Sequence, residues 1–271
     1  MSQFRFDDLQ GRLLVLTGAA HGIGRELSRG LAGQGVRLVL IDRDEPALTA
    51  HAESLRGEGA TVTAEVCDLA DSAALEALLD RLAGEHETID AVMHNAAVDP
   101  RIAVEQMTAE QFHRIMAINV DPALALVRGL LNNLRRSDAP RVLLVGSITF
   151  ELGAALMSAY TASKGAIVAL TRTLAHELGS DDITVNCIAP GAIQVEKEQR
   201  AHVDRSARDQ QVIDWQAVKR RLTPADLLGL TCLLLSEAGG GISGQVIGVD
   251  GGFMHPLASA AFQGTVSARE A

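Results

Sequence analysis

Aromatic residues, cysteines and long apolar runs are all scarce in this chain of 271 residues. Only 3% of the residues are aromatic, so the 25 glycines suggest close backbone packing rather than recognition through aromatic surfaces. The three cysteines are odd in number and far apart, which fits reduced thiols in a core and gives neither a zinc spacing nor a disulfide framework. The eight histidines are scattered without a metal-ligand pattern, so we predict no metal site.

Basic charge is also in short supply, because 24 basic residues face 34 acidic ones and the formal net charge is −10. A protein that follows a nucleic-acid backbone needs a basic footprint, so we predict no nucleic-acid partner. No apolar run approaches the ~18 residues that a membrane span needs, and residues 1–10 carry charges in place of an apolar leader. The expectation is a cytoplasmic protein without a membrane partner.

What the chain does have is a regular alternation of apolar runs and helical patterns. The runs predicted to be strands are 13–16, 37–41, 60–66, 89–93, 141–145, 183–187 and 244–249. Strands that alternate with helices predict one doubly wound α/β domain with a central parallel sheet and helices on both faces. We find no linker, and we expect residues 1–271 to form a single domain.

A glycine-rich segment follows the first apolar run and precedes a helical pattern. In this context glycines permit a tight turn and let phosphate oxygens approach main-chain N–H groups at a helix N-terminus. The pattern is G-x-x-x-G-x-G rather than the commoner G-x-G-x-x-G, so a purely structural turn is the alternative. The residues predicted to bind a dinucleotide are Gly18, His21, Gly22, Ile23 and Gly24.

Acidic residues end the second and third predicted strands. Asp42 lies about 20 residues past the glycines and is placed to accept hydrogen bonds from an adenosine ribose. It would repel a 2′-phosphate, so NAD is predicted over NADP, although the neighbouring Arg43 is a residue type that binds such a phosphate. Asp68, with Leu69 beside it, fits a hydrogen bond to the adenine amino group or, alternatively, an N-cap of the next helix.

Tyr160 and Lys164 are four residues apart, so a helix would place them on one face. An ammonium beside a phenol favours the phenolate, and such a pair can move a proton to or from a substrate hydroxyl. The alternative is an exposed Tyr and Lys on a helix surface. Ser147 follows the fifth strand, and Asn119 lies in a helix that Asp121-Pro122 is predicted to break. Because the carboxyl ends of parallel strands meet at one edge, Ser147 is expected to form one site with Gly18–Gly24, Asp42, Asp68, Asn95 and Pro190-Gly191, which also follow predicted strands.

In this order along the chain, the motifs resemble those of the short-chain dehydrogenase/reductase family over nearly the full length. The matching segments are Thr17-Gly-x-x-x-Gly-x-Gly24, Asn95-Ala-Ala97, Asn119, Ser147, Tyr160-x-x-x-Lys164 and Pro190-Gly191. The resemblance implies a Rossmann-type sheet of about seven strands and a homo-oligomer, either a tetramer or a dimer. It also implies a catalytic tetrad of Asn119, Ser147, Tyr160 and Lys164, in which Asn119 positions a water in a proton relay. It adds Asn95, Ala96, Ala97, Tyr160, Lys164, Pro190, Gly191 and Ile193 to the cofactor site.

Two positions depart from the family pattern. The usual Asn-Asn-Ala-Gly reads His94-Asn95-Ala96-Ala97, which places an extra methyl group near the cofactor. Val195 stands where the family often has a Thr that bonds the nicotinamide amide. The main-chain N–H of Ile193 is the donor that we predict in its place.

These motifs predict an enzyme that transfers a hydride between NAD(H) and a secondary alcohol or carbonyl substrate, with Tyr160 as acid and base. A small polyol, sugar or hydroxy acid is favoured as the substrate. A 3-oxoacyl thioester and an apolar, steroid-like alcohol are alternatives, and a non-catalytic nucleotide-binding or scaffold protein is the interpretation from another class. The polar segment 194–215 is predicted to be a substrate lid, and residues 257–271 a loose tail.

Overall fold

One parallel sheet of seven strands organises the residues that the computed structural model describes, 5–195 and 205–253. The strands are β1 (Leu13–Thr17), β2 (Arg37–Asp42), β3 (Val62–Val66), β4 (Ala91–His94), β5 (Arg141–Val145), β6 (Thr184–Pro190) and β7 (Val246–Val249). Their order across the sheet is β3-β2-β1-β4-β5-β6-β7, and every neighbouring pair is parallel. The predicted fold class is confirmed.

Helices connect the strands and cover both faces of the sheet. The α-helices are α1 (Gly22–Gly33), α2 (Glu45–Gly57), α3 (Ser72–Glu85), α4 (Ala109–Asn119), α5 (Asp121–Leu134), α6 (Thr149–Leu152), α7 (Ser158–Leu178), α8 (Arg205–Trp215) and α9 (Ala225–Leu235). Short 3-10 turns lie at Asp7–Leu9, Val104–Gln106, Gly179–Asp181 and Glu237–Gly239. Because all strands run the same way, their carboxyl ends share one edge of the sheet.

Two apolar clusters, one on each face of the sheet, hold these layers together. Alternate residues of β1 divide between them: Leu14 and Leu16 belong to one cluster, and Leu13 and Val15 to the other. All five residues of β1 are buried. Burial on both faces explains why the strands read as continuous apolar runs in the sequence.

Side-chain caps determine where several helices begin. The Asp44 carboxylate accepts the N–H of Ala47 at the start of α2, and Asp71 accepts that of Ala74 at the start of α3. The residue that caps α3 is therefore Asp71, and Asp68 is left to face the carboxyl edge of the sheet.

Helices α4 and α5 together are long and apolar enough to meet the length and composition criteria for a membrane span. The most apolar 18-residue window within Ala109–Leu134 has a mean hydropathy of 1.3, and half of that window is buried inside the fold. The core helices of a folded protein meet the same criteria. The segment is also interrupted at Val120, whose φ of −123° and ψ of −54° lie outside the helical region. This is the break that Asp121-Pro122 predicts.

Asn133 of α5 ties the connection between α3 and β4 to the rest of the fold. Its side-chain NH2 donates to the main-chain oxygen of Ala83 at 3.0 Å and to that of His86.

Replacing Asn133 by Ala removes these donors, so we expect the free energy of unfolding to fall by about 1–3 kcal/mol in chemical denaturation. The exposed neighbour Asn132 provides the control, since Asn132→Ala should change it by less than about 0.5 kcal/mol. Equal losses in the two variants would contradict this role.

Candidate active site

A cleft of about 1110 Å³ opens at the carboxyl edge of the sheet. It includes Gly18 and Asn95, which directly follow β1 and β4, and these strands are neighbours at the point where the strand order reverses. Ligands of open α/β sheets bind at such a reversal. The cleft is slightly larger than the roughly 300–1,000 Å³ that small-molecule sites occupy, so it has room for an extended cofactor and a second molecule.

All predicted site residues except two line this cleft. Those that line it are Gly18, His21, Gly22, Ile23, Asp42, Arg43, Asp68, Leu69, Asn95, Ala96, Ala97, Ser147, Tyr160, Lys164, Pro190, Gly191 and Ile193. The exceptions are Gly24 and Asn119. A Cβ atom on Gly24 would stand 2.1 Å from the main-chain oxygen of Gly18, so this glycine serves the packing of the turn against α1 rather than ligand contact.

The glycine-rich turn has a backbone that suits phosphate binding. Gly18 and Gly22 have φ angles of +70° and +54°, in the left-handed region that side chains disfavour. A Cβ atom on Gly22 would lie 3.6 Å from Val195, in the space between the turn and the opposite wall. The turn is held from β4, because the side-chain NH2 of Asn95 donates to the main-chain oxygens of Thr17 and Gly18 at 3.2 and 3.0 Å. The N–H groups at the start of α1 are thereby presented to the cleft.

The Asp42 carboxylate is fixed at the end of β2 by two main-chain donors. It accepts the N–H of Ala20 at 3.0 Å and that of Asp44 at 3.1 Å. A carboxylate has about four acceptor sites, so capacity remains for ribose hydroxyls. Arg43 is exposed beside it, and the Nε2 atom of His21 lies 2.8 Å from the Asp44 carboxylate. This end of the cleft fits the adenosine part of a dinucleotide.

Lys164 is almost completely buried at the other end of the cleft, with 2% of its surface exposed. Its Nζ atom donates to the main-chain oxygen of Val145 at 2.7 Å and lies 5.6 Å from the centre of the Tyr160 ring. Burial lowers the pKa of Lys164 to about 8, against an opposing influence of Cys187 and Asp99. The ammonium has three N–H donors, so two remain for a ligand or a neighbouring hydroxyl.

Ser147 lies close enough to Tyr160 to influence the pKa of its phenol, but the balance of influences differs from the predicted preference for the phenolate. Burial raises the pKa of the Tyr160 phenol, the hydrogen bond from Ser147 lowers it, and the charge of Asp99 raises it. Ser147 accepts the N–H and the hydroxyl of Thr149 at 3.2 and 3.1 Å, so its own hydrogen is available to Tyr160. In the protein without ligands the net direction is upward, because burial outweighs the stabilisation of the phenolate.

Asn119 lies behind the wall of the cleft, where it is completely buried. Its side-chain oxygen accepts the N–H of Val98 at 2.8 Å, and its NH2 donates to the Val98 oxygen and to the Ser163 hydroxyl, both at 3.0 Å. The side chain therefore anchors the segment after β4 to α7, and any influence on the reacting groups runs through these contacts. The N–H of Ile193, predicted to face a nicotinamide amide, donates instead to the Gly191 oxygen at 2.9 Å.

Two aromatic rings form a wall of the cleft that the sequence did not predict. The rings of Trp215, at the end of α8, and Phe253, after β7, lie 5.7 Å apart at an interplanar angle of 83°. Both residues line the cleft, as do Asp99 and Arg101. The one available signal was that the only Trp of the chain ends a polar segment.

The predicted lid, 194–215, falls only partly within the described residues. Residues 196–204 lie outside them, whereas α8 contributes Arg208 and Trp215 to the lining of the cleft. The function of this segment as a lid stays a prediction. The predicted tail, 257–271, also lies outside the described residues.

The fold and the cleft together define a Rossmann-type dinucleotide-binding protein. Residues 18–254 match a family model described as enoyl-(acyl carrier protein) reductase. The chain belongs to the short-chain dehydrogenase/reductase family, whose members are oxidoreductases that use NAD or NADP, and the resemblance seen in the sequence is thereby confirmed.

Relatives with described activities cover nearly the whole chain. Dehydrogenase/reductase SDR family member 4 of Rattus norvegicus is 28% identical over 249 residues, which are 92% of this chain and 89% of the relative. The probable galactose dehydrogenase of Rhizobium meliloti is 29% identical over 251 residues, 92% of this chain and 97% of the relative. Among solved structures, a putative NAD(P)-dependent gluconate 5-dehydrogenase from Beutenbergia cavernae with bound NADP is 30% identical and has a TM-score of 0.84, covering 90% of this chain and 97% of that one.

Because Tyr160 is the only tyrosine in the chain, its ionisation can be measured directly from tyrosinate absorbance in the near ultraviolet. We expect a pKa above that of a free phenol in the protein without ligands, because burial is the largest influence. Replacing Ser147 by Ala removes the hydrogen bond that favours the phenolate, so the pKa should rise further. Tyr160→Phe supplies the baseline. A Ser147→Ala variant that titrates at lower pH than the parent would refute this assignment of the hydrogen bond.

Proposed function

We propose that the protein interconverts a secondary alcohol and the corresponding carbonyl compound, with a nicotinamide dinucleotide as the hydride partner. The observation that carries the proposal is the group of Ser147, Tyr160 and Lys164 at one end of a cleft whose other end is a glycine turn followed by Asp42. A hydroxyl donor, a titratable phenol and a buried ammonium in contact with one space are the groups that alcohol oxidation requires from a protein.

In the oxidative direction, Tyr160 as phenolate accepts the proton of the substrate hydroxyl. Ser147 donates its hydrogen bond to the same substrate oxygen and holds it beside the phenol. Lys164, fixed by the Val145 oxygen, keeps positive charge near the ring and offers its remaining donors to the cofactor ribose. The nicotinamide, when bound, supplies the hydride chemistry. In the reductive direction Tyr160 returns the proton to the oxygen.

A sugar or sugar acid is the substrate that we propose. The relative from Rhizobium meliloti and the structure from Beutenbergia cavernae carry the names of sugar and sugar-acid dehydrogenases. The cleft supports this choice, because the aromatic rings of Trp215 and Phe253 offer a surface for the C–H face of a sugar, and Asp99 and Arg101 offer polar groups to hydroxyls or a carboxylate. A second candidate is an acyl thioester, in line with the description of the matching family model.

A panel of aldoses, aldonic acids, polyols and an acyl thioester, assayed through the absorbance of the reduced cofactor, tests this proposal. We expect turnover with a sugar or sugar acid and a fall in kcat of at least about a hundredfold in Tyr160→Phe, because the acid–base group is lost. Cofactor binding, followed by the fluorescence of the single Trp215 in the cleft, should persist in that variant. Binding of the dinucleotide without turnover on any substrate would favour a non-catalytic protein, and an active Tyr160→Phe variant would exclude the mechanism.

We propose NAD as the preferred cofactor, with NADP as the alternative. The carboxylate of Asp42 is held in place by Ala20 and Asp44 and would stand against a 2′-phosphate. The alternative rests on the exposed Arg43 and on the NADP named in the similar structure from Beutenbergia cavernae.

Replacing Asp42 by Asn keeps the shape of the side chain and removes its charge. We expect the ratio of kcat/KM for NADP to that for NAD to rise about tenfold, because the repulsion of the phosphate is lost. Asp68→Asn, at the end of the next strand, should weaken binding of both cofactors alike. A parent enzyme that already prefers NADP, with a ratio unaffected by Asp42→Asn, would refute the role of Asp42 in the choice of cofactor.

A further inference from the structure

His94 ends β4 with only 1% of its surface exposed, at the position where the family usually has an Asn. Its Nδ1 atom lies 2.9 Å from the Thr17 hydroxyl and its Nε2 atom 3.1 Å from the main-chain oxygen of Asn119. The imidazole thus spans from the residue before the glycine turn to the end of α4. It is not among the residues that line the cleft.

The partners of His94 determine which of its nitrogens carries the proton. A carbonyl oxygen only accepts, so Nε2 carries the hydrogen and donates it to Asn119. Nδ1 is then an acceptor for the Thr17 hydroxyl, whose oxygen in turn accepts the N–H groups of Asn95 and Ala96, both at 3.2 Å. Burial, assisted by the charge of Lys164, lowers the pKa of His94 to about 3, so the ring is neutral at neutral pH.

The chain of hydrogen bonds continues from Asn119 to the catalytic helix. The Asn119 NH2 donates to the Ser163 hydroxyl at 3.0 Å, and that hydroxyl donates to the main-chain oxygen of Tyr160 at 2.6 Å. Thr17, His94, Asn119 and Ser163 are all buried. Buried polar groups that lose a partner cost free energy, so such a chain resists displacement of any of its members.

We infer that His94 is a positioning residue that couples the nucleotide-binding turn to Tyr160 through Thr17 on one side and through Asn119 and Ser163 on the other. The effect of His94 on kcat and KM rests on the proposed function. Its geometric content, a link from the end of β1 to the backbone of α7, does not depend on the substrate. An Asn side chain is too short to reach both partners of His94, so the two connections can be separated by substitution.

Two substitutions each retain one of the two hydrogen-bonding positions of the imidazole. The amide of Gln lies near the position of Nε2, so His94→Gln keeps a donor for Asn119 and loses the bond to Thr17. The amide of Asn lies near the position of Nδ1, so His94→Asn keeps an acceptor for Thr17 and loses the bond to Asn119. We expect His94→Asn to lower kcat by between about tenfold and a hundredfold with little change in the KM of the cofactor. His94→Gln should retain most of kcat and raise the KM of the cofactor.

A second histidine provides the matched control. His51 of α2 is equally buried, and its Nε2 atom lies 2.7 Å from the Ser28 hydroxyl, away from the cleft. His51→Asn and His51→Gln should lower the melting temperature. Neither variant should change kcat alone or the KM of the cofactor alone. If the His51 variants reproduce the kinetic losses of the His94 variants, or if His94→Asn keeps the kcat of the parent, the inference is overturned.

The ionisation of Tyr160, measured without substrate or cofactor, separates this inference from the proposed function. In His94→Asn a less constrained α7 should give Tyr160 more access to water, so its pKa should move down toward that of a free phenol. It should stay at the parent value in His94→Gln and in the His51 variants. If the parent enzyme turns over nothing in the panel but these shifts are seen, the proposed function fails and the coupling stands. Identical Tyr160 titrations in the parent and His94→Asn would overturn the coupling even in an active enzyme.

Discussion

The side-chain NH2 of Asn95 donates to the main-chain oxygens of Thr17, the last residue of β1, and of Gly18, the first residue of the turn. This contact joins β1 to β4 where the strand order reverses, and the geometry of the nucleotide-binding turn depends on it. Gly24 packs against the same Gly18 oxygen and lets α1 start close to the sheet. Because β2 is in register with β1, with Ile41 opposite Thr17, Asp42 reaches the same edge, where its carboxylate accepts the N–H of Ala20 in the turn.

The end of the cleft that holds Tyr160 and Lys164 buries groups whose charged forms are costly to place in a protein interior. Lys164 places an ammonium in the interior with the Val145 oxygen as its acceptor, and burial disfavours the charged forms of both Lys164 and Tyr160. Isolated buried charges weaken a fold, and proteins retain them where binding or catalysis needs them. The hydrogen bond from Ser147 opposes the effect of burial on the pKa of Tyr160.

Much of the fold and of the candidate site follows from local sequence signals. Apolar runs buried on both faces, each ending in glycine, small or acidic residues, are sufficient to place Gly18, Asp42 and Ser147 at one edge of a parallel sheet. The family resemblance, not chain spacing, assigned Asn119 to the site, and neither reveals the direction of a side chain at a helix end: the Asn119 amide is turned toward Val98 and Ser163.

Properties that depend on distant parts of the chain could not be read from spacing. Trp215 and Phe253 meet because the bridge between Gln216 and Phe253 brings together α8 and the end of the sheet. The upward pKa of Tyr160 has the same origin, since burial is produced by the whole fold and outweighs the neighbours that the sequence makes visible.

The order of the strands also has a consequence for the way in which the chain acquires its structure. β1 pairs with β2 soon after both are made, but its partner on the other side, β4, lies much farther along the chain, and Thr17 and His94 are separated by 77 residues. Closing such a loop has an entropic cost that is incurred before the strand contacts form, so pairings of this kind are slow. During synthesis the first three strands therefore emerge with an edge of β1 exposed, and the edge stays open until β4 arrives. The nucleotide-binding turn, although encoded near the start of the chain, therefore cannot be completed before β4 has been made.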